Sequence, residues 1–118
     1  MSSINAKRSA RDRQSDQDRA CADFVVHLVC LSFNCVSEEV YEGGRSPGAT
    51  RARQISMYLT HVGFGLSLAR VGVAFGRDRA TVGHAVGRVE SWRDDPVLDA
   101  VLLQLEHAIR HAPAARFP

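Results

Sequence analysis

The chain has 118 residues and a formal net charge of +2, a length that accommodates one domain of ordinary size. Hydrophobic residues make up 45% and charged residues 24% of the sequence, and values so near the globular average exclude a wholly disordered chain. No uncharged apolar stretch approaches about 18 residues, and the N-terminal segment lacks an apolar run, so neither a membrane span nor a secretory signal is expected.

The chain contains three cysteines, Cys21, Cys30 and Cys35, without a C-x-x-C pair. Their odd number and their spacing argue against a disulfide framework and against a zinc site. His27 shares a helix face with Cys30, but burial as small hydrophobic residues is the simpler account of the cysteines. We therefore expect a cytoplasmic protein without a metal, a cofactor or a catalytic site.

Positive charge is concentrated in the middle of the chain. Residues 43–93 contain eight basic and two acidic side chains, whereas residues 21–42 contain four acidic and no basic ones. All eight basic residues are arginines, whose planar donor groups suit phosphate and guanine. This distribution is typical of a chain with a nucleic-acid or anionic-surface partner, although codon bias in a GC-rich genome would equally favour arginine over lysine.

The first half of the chain predicts a charged tail followed by three helices. Residues 1–17 lack periodicity and are expected to form a flexible tail, ahead of a folded domain over residues 18–112 and a C-terminal tail over residues 113–118. A first amphipathic helix is expected over about residues 17–34. The apolar face assigned to that helix contains Phe24, Val25, Leu28 and Leu31.

Two further helix starts are expected before the middle of the chain. Ser37 is expected to cap a short second helix, and the glycine- and proline-rich segment 43–48 to form an exposed flexible connection. Thr50 is expected to cap a third helix, which ends at Gly63-Phe64-Gly65.

The second half predicts two helices joined by a short turn that contains glycine, which is the pattern of a helix-turn-helix. Ser67 is expected to cap the first of these helices, and Asp78 the second. A last helix is expected to begin at Asp94-Asp95-Pro96. Because no segment alternates with the period of a strand, the sequence predicts an all-α domain of about six helices.

The helix after Asp78 has an unusual outward face. An apolar stripe on its other side is formed by Val82, Ala85, Val86 and Val89, and this places Gly83 and Gly87 outward among basic side chains. Each glycine costs about 0.5–1 kcal/mol relative to alanine in a helix. Close approach of a large object such as a DNA major groove would explain them, and so would tight packing against another helix or a dimer partner.

Residues 51–59 (RARQISMYL) and 67–90, with the core AFGRDRATVGH at 74–84, resemble the C-terminal DNA-binding domain of the bacterial replication initiator DnaA. The resemblance is closest over residues 50–90 and absent from the N-terminal tail. It implies a helix-turn-helix fold similar to that of the Trp repressor.

The resemblance also implies a DNA-binding surface. Arg51 matches an arginine that precedes the third helix and enters the minor groove. The implied major-groove readers are Asp78, Arg79, Ala80, Thr81 and His84. The implied backbone contacts are Arg53, Arg77 and Arg88, and Ser67 is counted with the DNA-binding residues. Plainer roles stay open for several of them: Asp78 as a cap, Thr81 bonded to its own backbone, His84 as an ordinary surface residue and Arg88 as a solvated charge.

The chain departs from the family pattern in three places. It has Gly76 alone where two glycines are usual, and Arg79-Ala80 where His-Thr is usual, and these departures bear on its specificity for the DnaA box. Arginine can bond guanine O6 and N7 together, and alanine can still touch a thymine methyl group. No G-x-x-x-x-G-K-[ST] sequence occurs, so we expect a free-standing domain without the ATPase part.

The sequence thus favours sequence-specific binding of double-stranded DNA at sites that resemble DnaA boxes, in a nucleoid-associated transcriptional regulator or a competitor at replication-linked sites. A homodimer is an open alternative for the assembly. The alternative function is a protein-interaction module, which binds a partner or a second copy through the acidic first helix and retains only a degenerate helix-turn-helix.

Overall fold

The computed structural model describes residues 9–112, and over that range it contains six α-helices and no strand. In chain order the helices are α1 (Ala10–Phe33), α2 (Ser37–Glu42), α3 (Pro47–Phe64), α4 (Leu68–Phe75), α5 (Arg79–Trp92) and α6 (Pro96–Arg110). This architecture confirms the all-α prediction. The predicted C-terminal tail, 113–118, and the first part of the predicted N-terminal tail, 1–8, lie outside the described residues.

The first helix begins earlier than predicted, so residues 10–17 are helical and not part of a tail. The Ser9 hydroxyl accepts from the Asp12 backbone N–H at 3.1 Å, and the Asp12 carboxylate accepts from the Ser9 N–H at 3.4 Å. This reciprocal pair is a capping box, which satisfies two backbone donors at the helix start. Because the first two turns are mostly exposed, they lack the apolar period that reveals a helix in a sequence.

The buried face of α1 is also rotated from the predicted one. Leu31 was expected on the apolar face and is 83% exposed. The buried face instead contains Ala22, Val25, Val26 and Val29, and it continues to Asp18 one turn earlier. Because Asp18 is polar, the apolar pattern of the sequence does not show that this position belongs to the buried face of α1.

Two predicted caps are wrong, and a stronger start signal explains the second of them. Ser37 is inside α2, whose N-cap position is Val36. Helix α3 begins at Pro47, where the Ser46 hydroxyl accepts from the Ala49 N–H at 3.1 Å. Proline at the first helical position lacks only a donor that would have no helical partner. Thr50 therefore lies inside α3, and the predicted flexible connection over 43–48 includes the first residues of that helix.

The core is organised around α3, which contacts each of the other five described helices. Its buried side chains include Ile55, Met57 and Leu59, and α5 and α6 add Val82, Val89 and Leu102. Near its end α3 comes close to α6: a Cβ on Gly63 would lie 2.8 Å from Ile109 Cγ2. None of the described helices is both long and apolar enough to cross a lipid bilayer.

Partly buried ion pairs join the helices at two places. The guanidinium of Arg70 on α4 donates two hydrogen bonds, at 2.7 and 2.9 Å, to Asp18 on α1. After the end of α5, Arg93 donates to Asp99 at 2.5 Å, to the Tyr58 hydroxyl at 2.8 Å and to Glu106. These contacts hold α1 against α4, and α6 against α3 and α5.

Candidate nucleic-acid interface

The turn between α4 and α5 is compact because of one close backbone approach. Gly76 ends α4 with φ +67, and the Arg77 N–H donates to the Gly72 carbonyl at 2.9 Å. A Cβ on Gly72 would lie 2.5 Å from the Arg77 carbonyl oxygen, too close for any other residue without a backbone shift. Gly72 is a determinant of the turn, and it was not predicted from the sequence. The sequence feature that indicates it is a glycine inside a short predicted helix.

Both predicted caps of the helix-turn-helix are confirmed. The Ser67 hydroxyl accepts from the Arg70 N–H at 3.2 Å at the start of α4. The Asp78 carboxylate accepts from the Thr81 N–H at 2.7 Å at the start of α5. The hydrogen bonds from Thr81 and Ala80 lower the pKa of Asp78, so the carboxylate is charged at neutral pH beside the positive end of the helix dipole. Base or phosphate contacts by these two side chains remain predictions.

The predicted faces of α5 are the observed ones except at Gly83, which was predicted to face outward and is half-buried beside Leu68. Val82, Ala85 and Val89 are buried against the core, and Val86 is half-buried. The exposed side of the helix and its N-cap present Asp78, Arg79, Ala80, Thr81, His84, Gly87 and Arg88. The structure therefore brings the predicted major-groove residues together on one open surface, which we call the α5 face.

Neither Gly87 on the α5 face nor the half-buried Gly83 one turn before it is explained by packing within the described chain. A Cβ on Gly87 would meet nothing within 4 Å, and one on Gly83 would make only an ordinary contact with Leu68 Cδ1 at 3.6 Å. The cost of both glycines to the helix is therefore not offset by contacts in residues 9–112. A surface of this shape admits close approach by another molecule.

Arg51 lies on α3 and not before it, which corrects the predicted placement. The helix begins four residues earlier, at Pro47, because of the Ser46 cap. The Arg51 side chain is exposed, and its Cζ atom lies 5.4 Å from the centroid of the Trp92 ring at the end of α5. Arg51 is thus beside the C-terminal end of the α5 face.

Arg53 is occupied by contacts within the protein. Its Nε donates to the Val40 carbonyl at 2.7 Å, and its Nη2 donates to the carbonyls of Glu39 and Gly44 at 3.1 and 3.0 Å. These bonds satisfy carbonyl groups at the C-terminal end of α2. Burial and the nearby Arg77 guanidinium lower the pKa of Arg53. These contacts give Arg53 a role in the fold, and they disfavour the phosphate contact predicted for it.

The remaining basic residues of the predicted site differ in exposure. Arg77 is half-buried in the turn, close to Gly43 at the end of α2. Arg79 and Arg88 are exposed. Within residues 9–112, Arg51, Arg79 and Arg88 form no ion pair. Their charges are therefore available to an external anion.

The cysteines show no arrangement for metal binding. The Sγ atoms of Cys30 and Cys35 are 2.9 Å apart, and all three cysteines are free. Burial, followed by the hydrogen bond from Cys35, raises the pKa of Cys30 to about 12. Across the part of the chain that the structure describes, no three His, Cys, Asp or Glu side chains are grouped to hold a metal ion.

Comparison with known proteins agrees with this geometry. Helix α4, the turn and α5 define a helix-turn-helix, and residues 22–89 match the family model of the bacterial DnaA protein helix-turn-helix. The chain belongs to this DnaA helix-turn-helix family.

Two curated relatives are chromosomal replication initiator proteins DnaA. The protein from Thermomicrobium roseum is 36% identical over 94 residues, which are 78% of this chain and 20% of the relative. The protein from Corynebacterium jeikeium is 40% identical over 77 residues, which are 64% of this chain and 13% of the relative. The chain thus corresponds to a fifth or less of the length of these relatives.

A solved structure shares the fold. The crystal structure of a DNA replication initiation factor superposes with a TM-score of 0.74 and 26% sequence identity. The match covers 84% of this chain and 31% of the other. The resemblance drawn from residues 50–90 is therefore confirmed at the level of family and fold.

Proposed function

We propose that this protein binds double-stranded DNA sequence-specifically, with α5 in the major groove. Membership of the DnaA helix-turn-helix family supports DNA binding as such. The observation that carries the finer proposal is the α5 face, which is exposed and basic and contains Gly87, a glycine that no contact in the described chain requires. An α-helix fits the major groove when its outward side chains are small or directed at base edges.

We propose different roles for the side chains on and beside the α5 face. Arg79, at the first turn of α5, donates two hydrogen bonds to guanine O6 and N7, and Ala80 beside it contacts a thymine methyl group. Thr81 and His84 complete the contacts to base edges. Arg77 and Arg88 bind phosphates, and Arg51 enters the adjacent minor groove, where it responds to groove width and charge.

Occupancy of a site is the proposed mechanism, and it requires no catalysis and no cofactor. A bound protein excludes other proteins from the same duplex segment, which suits a transcriptional regulator or a competitor at replication-linked sites. Sites similar to DnaA boxes are the first to test, with one base position altered where Arg79 replaces the usual histidine of the family. In this proposal the protein is found with the nucleoid.

The test is a selection from a random duplex pool, followed by fluorescence-anisotropy titrations of the selected duplex, a DnaA-box duplex and a scrambled duplex at two salt concentrations. We expect enrichment of one sequence, a preference for it over the scrambled duplex, and affinity that falls steeply with salt. Absence of binding to every duplex at low salt would contradict the proposal and favour the protein-interaction module.

The matched control for charge is Arg110→Ala. Arg110 is an exposed arginine at the end of α6, a helix that packs mainly on α3. Its removal lowers the net charge by the same amount as removal of any arginine of the α5 face. We expect Arg110→Ala to bind the selected duplex almost as the parent does.

A further inference from the structure

Trp92, which no sequence motif singled out, contacts two arginines from different helices. The half-buried indole is the last residue of α5. Arg51 on α3 places its Cζ atom 5.4 Å from the ring centroid, and Arg88, one turn earlier on α5, places its Cζ atom 5.7 Å from it. Both distances lie within the range of cation–π attraction.

An open recess surrounds these three side chains. Its volume is about 270 Å³, and it lies between the first turns of α3 and the last turns of α5. The lining residues are Pro47, Thr50, Arg51, Gln54, Arg88 and Trp92. No carboxylate is among them, so two like charges meet at one ring without a neutralising partner in the lining.

Two physical consequences follow from this arrangement. Attraction to the ring uses the positive charge of a guanidinium and does not use up all five of its N–H donors, so donors remain for an external acceptor. Gathering two cations costs electrostatic energy in the free protein, and an anionic ligand that approaches both would recover it. Holding long side chains in place before binding also removes part of the entropy cost of ordering them in the complex.

We propose that Trp92 is a positioning residue for DNA, which holds Arg51 and Arg88 at a fixed spacing so that both reach the duplex at once. This inference rests on the proposed function. Arg51 enters the minor groove while Arg88 binds the backbone beside it, and the indole sets the distance between these contacts. Trp92 itself carries no charge, so it acts on affinity through the two arginines.

The test compares Trp92→Leu and Trp92→Phe on the selected duplex over a series of salt concentrations. We expect Trp92→Leu to weaken binding about tenfold, because two side chains lose their preset positions. The slope of log affinity against log salt should not change, because no charge is removed. Trp92→Phe keeps an aromatic face and should recover most of the affinity.

A double-mutant cycle separates positioning from a general structural role. In an Arg51→Ala/Arg88→Ala background, Trp92→Leu should cause no further loss, since its effect passes through those arginines. An equal loss in both backgrounds, or a failure of phenylalanine to rescue binding, would overturn the proposal. Circular dichroism at the titration temperature establishes that each variant is folded.

Binding of the selected duplex by the parent protein distinguishes failure of the role proposed for Trp92 from failure of the proposed function. If the parent binds the selected duplex and Trp92→Leu binds equally well, the role of Trp92 is refuted while the proposed function stands. If the parent binds no duplex, both are refuted.

Discussion

Arg79 is the side chain on which base recognition depends most in this account. It is exposed in the first turn of α5, and no ion pair within residues 9–112 engages it. We predict that Arg79→Ala costs about 1–3 kcal/mol of binding free energy and relaxes the preference at one base position. Selection from a random pool with the parent and the variant measures this. An unchanged base preference would show that Arg79 does not read a base directly.

Arg88 is predicted to act on the backbone, so its removal has a different signature. Arg88→Ala should weaken binding to all duplexes by a similar factor and lower the salt slope by about 1, because one phosphate contact is lost. Titrations of the selected and scrambled duplexes at several salt concentrations measure both effects. A loss confined to the selected duplex would assign Arg88 to base readout instead.

The helix-turn-helix contains two glycines whose replacement should have effects of opposite sign. Gly72→Ala places a Cβ 2.5 Å from the Arg77 carbonyl oxygen, and we expect it to destabilise the fold by about 1–3 kcal/mol. Gly87→Ala meets nothing within 4 Å and should stabilise α5 by about 0.5–1 kcal/mol. Urea unfolding measures both variants, and a shift of the same sign for the two would contradict the geometry of the turn.

The elements that the sequence predicted best are those that carry their own local signals. Helices α4 and α5 have side-chain caps at Ser67 and Asp78 and a regular apolar stripe, and both begin where predicted. Helices α1 and α3 begin earlier than predicted, and the first two turns of α1 are mostly exposed and so lack the apolar period. Local signals also mark these two helix starts: a capping box at Ser9 and a serine before proline at Ser46. Neither signal entered the prediction.

The roles of the arginines could not be predicted from the sequence, because they depend on contacts between distant segments. Arg53, Arg70 and Arg93 lie in the same basic block as the arginines of the α5 face. The structure uses these three inside the protein, on helix carbonyls or on carboxylates. The position of Arg53 in the sequence predicted a phosphate contact. The sequence does not show that α2 folds back against the Arg53 guanidinium.

At the scale of the whole molecule, the arginines of residues 43–93 therefore divide into two groups. One group of arginines holds the helices together, as in the ion pair between Arg70 on α4 and the buried Asp18 on α1. The other group, which contains Arg51, Arg79 and Arg88, is exposed near or on the α5 face. A count of basic residues alone would therefore overestimate the number of arginines available to an external anion.

We predict that the Asp18–Arg70 ion pair is the main polar contact that stabilises α1 against the helix-turn-helix. The Asp18 side chain is 7% exposed, so Arg70→Ala leaves a carboxylate with little access to water. We expect a loss of about 1–3 kcal/mol in the free energy of unfolding, since the Arg70 side chain is itself partly solvated. Chemical denaturation of this variant beside Arg110→Ala measures the effect, and equal midpoints would show that the pair contributes nothing.

The role of α5 in reading DNA can be tested by mapping the backbone amide chemical shifts of the labelled protein as the selected duplex is added. We predict that the largest changes fall on the N-terminal half of α5, at residues 78–84, with a second group at Arg51, Arg88 and Trp92. The exposed acidic residues of α2 should change little. Changes centred on α2 or on α1, with the α5 face unaffected, would contradict the claim that this helix reads DNA.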